Sequence, residues 1–237
     1  MNWGMILNTA TCLVVAIAAI IASKKIYSKK ISSAGTVAFA LFWFIAGWQW
    51  FFSGARTFFA FLDMNSTDEF IFYIVEILVG IYMIPLAHFV ITKAINNTKI
   101  NKIFTALYSI LAIIYVYLLL NNGVSFVSKT FFASEYKPNE GSLLLFQIMF
   151  VLIFIILIFN IIKQIIAKIR NTGFDKNTLY SFLSIFIYSI VGYFDQVGEP
   201  SGWKLILIRT VLAGTACIAC ISYYKPEEKE KNDNLVV

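Results

Sequence analysis

The sequence predicts an all-α integral membrane domain, an antiparallel bundle of seven transmembrane helices. Three observations carry that prediction. Of 237 residues, 59% are hydrophobic and 14% charged, with a mean hydropathy of +0.78, whereas a soluble domain is about half apolar and a quarter charged. Seven apolar runs approach the ~20 residues that a helix needs to cross a bilayer. The lysines and arginines gather in alternate connections, as membrane topology demands.

The runs fall at 4–23, 34–61, 69–92, 103–120, 142–163, 178–196 and 203–224. Together they make one transmembrane domain over 1–224, followed by a short charged tail over 225–237. The start, MNWGMILN, lacks the basic opening of a signal peptide, so the first helix is expected to stay. Phe, Tyr and Trp number 23, 12 and 5, an aromatic load suited to the two membrane interfaces. Most connections are brief. The exception is 121–141, whose apolar SFVSKTFF either lies along the interface, folds over the helix ends as a lid, or forms a solvated link.

Fourteen of the nineteen basic residues fall on one side of this arrangement. They are Lys24, Lys25, Lys29 and Lys30, then Lys93, Lys99 and Lys102, then Lys163, Lys168, Arg170 and Lys176, then Lys225, Lys229 and Lys231. The rule that cytoplasmic loops are positive therefore predicts the N-terminus out and the C-terminus in. Acidic residues run the other way: Asp63, Asp68, Glu69, Glu135, Glu140, Asp195 and Glu199 lie at or beyond the outer ends. A pI near 9.1 does not imply nucleic acid, because the cations are dispersed among loops. The basic extension of helix five, IIKQIIAKIR, suits anionic headgroups or a cytoplasmic partner.

An ionised side chain inside a bilayer costs several kcal/mol unless it is paired or hydrated, so each one is a candidate for function. At ~1.5 Å per residue, Arg56 lies roughly 8 Å below the outer end of helix two, Glu76 roughly 10 Å into helix three and Arg209 roughly 9 Å into helix seven. Asp195 sits just above that level on helix six. Two cations and two anions thus share one outer-leaflet layer. Gln49, Arg56 and Asp63 are spaced by seven and share a face of helix two, with Trp48 and Trp50 beside it. The layer reads in two ways: as structural ion pairs, Arg56 with Glu76 and Arg209 with Asp195, or as an outward-opening pocket for a small polar or zwitterionic ligand. An ion or proton path is a third possibility. Pro85 is expected to kink helix three, and His88, one turn on, is either a proton-sensitive switch or a packing residue.

The remaining motifs are sparse. Cys12, Cys217 and Cys220 all fall within apolar runs, which argues against a disulfide framework. The CxxC at 217–220 has no further Cys or His beside it, so small packing residues fit better than a redox or metal pair. There is no Walker loop, HExxH, GxSxG or His–carboxylate cluster, and no lysine in the middle of helix seven to hold retinal. The sequence therefore points away from an enzyme, and to no cofactor and no metal.

The stretches LFWFIAGWQWFFSGARTFFAFLD and EFIFYIVEILVGIYMIPLAHFVITK resemble the seven-helix N-terminal sensor region of bacterial and archaeal histidine kinases. Pro85, Phe89, the short outer turn after Asp63 and the long loop before helix five fit that pattern. The resemblance implies a stand-alone sensor-like module, since no kinase or cyclase domain follows Tyr224. Its output would pass to a cytoplasmic or membrane protein partner. A small-solute transporter or channel, and an accessory subunit of a membrane complex, are the alternatives; all three readings place the chain in a cell membrane.

Overall fold

The computed structural model describes residues 3–28, 33–95, 97–197 and 202–223. Seven helices form: α1 Trp3–Ser28, α2 Ala34–Phe61, α3 Asn65–Ala94, α4 Thr98–Asn122, α5 Glu140–Ile169, α6 Lys176–Val197 and α7 Trp203–Ser222. All seven are long and apolar enough to cross a membrane. This is a multi-pass membrane protein with an all-α fold. Lys29, Lys30, Glu199 and the tail from Lys225 lie outside the described residues.

Five helices extend past the apolar runs, and α4 and α5 do so from capped polar ends. Asn97 accepts hydrogen bonds from the amides of Lys99 and Ile100 at the start of α4, and Asn139 accepts from Ser142 at the start of α5. Each such cap satisfies amide groups that the first turn of a helix leaves without partners. α5 has 30 residues, roughly 45 Å at 1.5 Å each, so it outruns a ~30 Å hydrocarbon core. Its basic end, with Lys163 and Lys168, projects beyond.

α2 and α3 form the buried centre, each with 61% of its apolar span inside the protein, while α4 and α5 are mostly lipid-facing at 22% and 28%. α1 lies close against α2 because small residues meet there. A side chain on Gly47 would come within 2.7 Å of Ile20, and one on Gly54 within 3.2 Å of Cys12. Close backbone approach of this kind supplies the dispersion contacts that hold helices together when lipid is the competing solvent. The middle of the bundle is aromatic. Phe39 stacks on Phe89 at 4.5 Å, and Phe42 and Trp43 meet Tyr188 edge-on, each at 5.4 Å.

The long connection before α5 is no solvated link. It forms an antiparallel hairpin of β1 Val124–Lys129 and β2 Ser134–Pro138. Gly123 starts it with φ of 74°, a left-handed backbone that also ends α4. Phe132 and Ala133, at the turn, are buried against Leu205 of α7, and Phe131 covers Gly4 of α1. The hairpin folds over the helix ends.

Candidate functional site

Beneath this hairpin lies a polar chamber of about 100 Å³. Its walls come from four helices: Gln49, Ser53, Arg56 and Thr57 on α2, Phe72 and Glu76 on α3, Asp195 on α6, Arg209 on α7. Ala133 to Tyr136 of the hairpin form the roof. Five of the residues that the sequence singles out (Gln49, Arg56, Glu76, Asp195 and Arg209) therefore face one space.

Their partners differ from the simple pairing by depth. Arg56 forms its ion pair with Asp68, Nε to Oδ1 at 3.2 Å; no Arg56–Glu76 bridge forms among the described residues. The reason is local geometry. A tight turn at Leu62–Met64, with Asp63 at φ of 60°, joins α2 to α3, and Arg56 and Asp68 stand six residues to either side of Leu62. The two helices run antiparallel, so equal distances from the turn bring side chains level. Asp68 is fully buried, although its sequence position reads as an exposed outer end.

The roof completes this pair. Arg56 Nη2 donates to the Ser134 carbonyl, and the Ser134 hydroxyl donates to Asp68 Oδ2. The guanidinium also lies over the rings of Phe72 and Tyr136, at 5.0 and 5.8 Å, an arrangement worth about 0.5–2 kcal/mol per contact. Desolvation, then the negative charge of Asp68, raises the Tyr136 phenol above its ordinary range.

Arg209 anchors the other wall. Its Nη1 donates to Asn8 Oδ1, sits 2.6 Å from Cys12 Sγ, and its guanidinium lies 5.5 Å from the centre of the Trp50 ring. No direct Arg209–Asp195 bridge forms among the described residues; Asp195 stays within Coulombic reach of both arginines. Asn8, fully buried, turns its amide group to donate to the Phe132 carbonyl at 2.8 Å. Both arginines thus grip the roof, Arg56 directly and Arg209 through Asn8.

No family model, curated protein or solved structure matches the chain. The chamber itself is what remains to be read. Glu76 is buried and accepts a hydrogen bond from the Tyr115 hydroxyl on α4. Gln49 donates to Ser53 at a long 3.5 Å. Trp50 is a buttress, buried and bonded through Nε1 to Tyr188 at 3.0 Å. Three residues fall outside the site. Trp48 is 40% exposed among Phe44, Phe51 and Phe52, and Asp63, the last of the seven-spaced set, is exposed and bridged to Lys129. His88 bonds Thr105 of α4 through Nδ1 at 2.8 Å. It lies three turns along α3 from Glu76, about 18 Å away at ~1.5 Å per residue. Pro85 is accommodated inside an uninterrupted α3.

Sequence reasoning missed Asp68, Ser134, Asn8 and Tyr115. The equal spacing about Leu62 was a usable signal for Asp68, and Asn8 was a polar residue inside an apolar run. Nothing comparable marks Ser134, which receives Arg56 through its backbone carbonyl.

Proposed function

We propose that this protein is a receptor-like membrane module that admits a small polar solute from the outer face into the chamber beneath the hairpin. One observation carries the reading: a roofed polar cavity whose charged walls belong to four different helices. A solute that re-pairs those charges changes how α2, α3, α6 and α7 are held to one another, which is what a transmembrane signal requires. The orientation rests on the positive-inside distribution, which puts the chamber on the outer side of a cell membrane.

Size narrows the solute. Pockets for drug-sized ligands run to about 300–1,000 Å³, whereas this one holds several waters or a molecule of a few heavy atoms. Below it, Phe42, Trp43, Tyr82 and Tyr188 pack edge to face. That aromatic plug favours sensing over passage through the bundle.

The test is thermal unfolding of the full chain in nanodiscs against a panel of glycine, β-alanine, acetate, methylammonium and urea. At least one member is expected to raise Tm in a saturable way. Ser53→Leu, which fills the chamber, is expected to remove that rise while the protein stays folded. A flat response to the whole panel, or a rise that survives Ser53→Leu, refutes the reading.

A further inference from the structure

The ligand class can be read from what the roof already does. Ser134 is 2% exposed and sits on the Arg56–Asp68 pair with two groups of opposite character. Its carbonyl accepts from the arginine, and its hydroxyl donates to the carboxylate. Acceptor and donor are held a short aliphatic spacing apart on one residue. A small amino acid has the same two functions at a similar spacing, with full charges: a carboxylate for the guanidinium, an ammonium for the aspartate.

We infer that Ser134 is a tethered stand-in for a small zwitterionic amino acid, which displaces it from Arg56 and Asp68 and so lifts the hairpin. This rests on the reading of the chamber as a ligand site. Three features favour the exchange. A zwitterion brings a full opposite charge to both Arg56 and Asp68, an ion-pair attraction that the neutral carbonyl and hydroxyl of Ser134 lack. The ring of Phe72 on α3, 5.0 Å from the guanidinium, keeps Arg56 in place when the roof leaves. Glu76 and Asp195 on the chamber walls offer further carboxylate character toward the ammonium, while Arg209 faces the carboxylate end.

The remaining attachments of the roof define what opening must break. Besides Ser134, these include the Asn8 bond to the Phe132 carbonyl, the exposed Lys129–Asp63 bridge, the apolar contact of Phe132 and Ala133 with Leu205, the seat of Phe131 on Gly4, and Tyr136, which stacks on Phe72 and donates to the Asn65 carbonyl. They run from the hairpin turn to Tyr136 and reach α1, α7 and the start of α3. Asn139 ties the opposite end, donating to the carbonyls of Leu118 and Gly123. The hairpin therefore lifts about its base at Gly123 and Asn139.

Calorimetric titration of glycine and β-alanine into the full chain in nanodiscs tests this, with acetate and methylammonium as single-charge controls. Wild type is expected to bind a zwitterion at least tenfold more tightly than either control. Ser134→Ala removes the competing hydroxyl, and its affinity is expected to rise about tenfold, since a hydrogen bond to an ionised group is worth at least ~1.5 kcal/mol and a decade in Kd is ~1.4 kcal/mol. Ser134→Cys, similar in shape with a weaker donor, is expected to fall between. Equal or weaker binding by Ser134→Ala overturns the inference. So does acetate binding as tightly as glycine; if Ser53→Leu then abolishes the acetate response, the chamber stands and only the zwitterion is refuted. No binding of any probe by wild type or Ser134→Ala refutes both.

Discussion

Asp68→Asn keeps the shape of the buried acid and removes its charge. At 3.2 Å, the attraction between Arg56 and Asp68 is about 5 kcal/mol for an effective dielectric of ~20. Loss of one partner from a buried pair costs about 3–5 kcal/mol, mostly because the other charge is left uncompensated. Arg56 is 15% exposed at the side chain and keeps the Ser134 carbonyl and two ring faces. The lower end, about 3 kcal/mol, is therefore expected. The measurement is SDS-titrated unfolding followed by tryptophan fluorescence, arranged as a double-mutant cycle with Arg56→Gln. A coupling of about 2 kcal/mol between positions 56 and 68 is expected, with a smaller one between 56 and 76 from the parallel cycle with Glu76→Gln. Additivity at 56 and 68 within ~0.5 kcal/mol, or a larger coupling to Glu76, shows that the pair has been misassigned.

Two further outcomes follow from the roof. A side chain at Gly4 would come within 2.5 Å of Phe131, backbone included, so Gly4→Val is expected to lever the hairpin off α1 and speed amide exchange across 124–138; unchanged exchange there counts against the contact. Tyr136 has a folded-state pKa raised by desolvation and by Asp68, so its contribution is intact below the unfolded value of ~10 and lost as pH climbs through the folded value. Stability is thus expected to fall above about pH 10, and Tyr136→Phe to flatten that limb in a pH series of the same unfolding assay.

The bundle was legible because the bilayer imposes it. An apolar run of transmembrane length has one way to satisfy its backbone inside hydrocarbon, so the helices at 34–61 and 203–222 could be placed nearly to the residue. The layer of Arg56, Glu76, Asp195 and Arg209 was legible for a related reason, since a fixed rise per residue converts position into depth. Depth says nothing about azimuth. It made Arg56 and Glu76 look like partners when the turn at Leu62 sets Asp68 opposite Arg56. The roof escaped for a different reason: the Ser134 and Phe132 carbonyls that receive Arg56 and Asn8 are features of every residue and leave no trace in a sequence. Only the apolar SFVSKTFF gave notice that the loop had somewhere to bury itself.

Asn8 has a consequence for how the protein is made. It is a wholly buried amide in the first helix; beyond a weak contact from the nearby Cys12 thiol, its partners lie 124 and 201 residues further along the chain, at Phe132 and Arg209. While the ribosome is still working through the intervening helices, that amide has neither. Arg56 and Asp68, twelve residues apart, find each other as soon as α3 emerges. The two contacts therefore close at different times: Arg56 can meet Asp68 once α3 is present, whereas Asn8 can meet Arg209 only after α7 has entered the membrane. A chain stalled before Arg209 would lack the strong donor to the Asn8 side-chain carbonyl oxygen, leaving a buried amide only partly matched in lipid, a mark by which membrane quality control could tell an unfinished copy from a finished one.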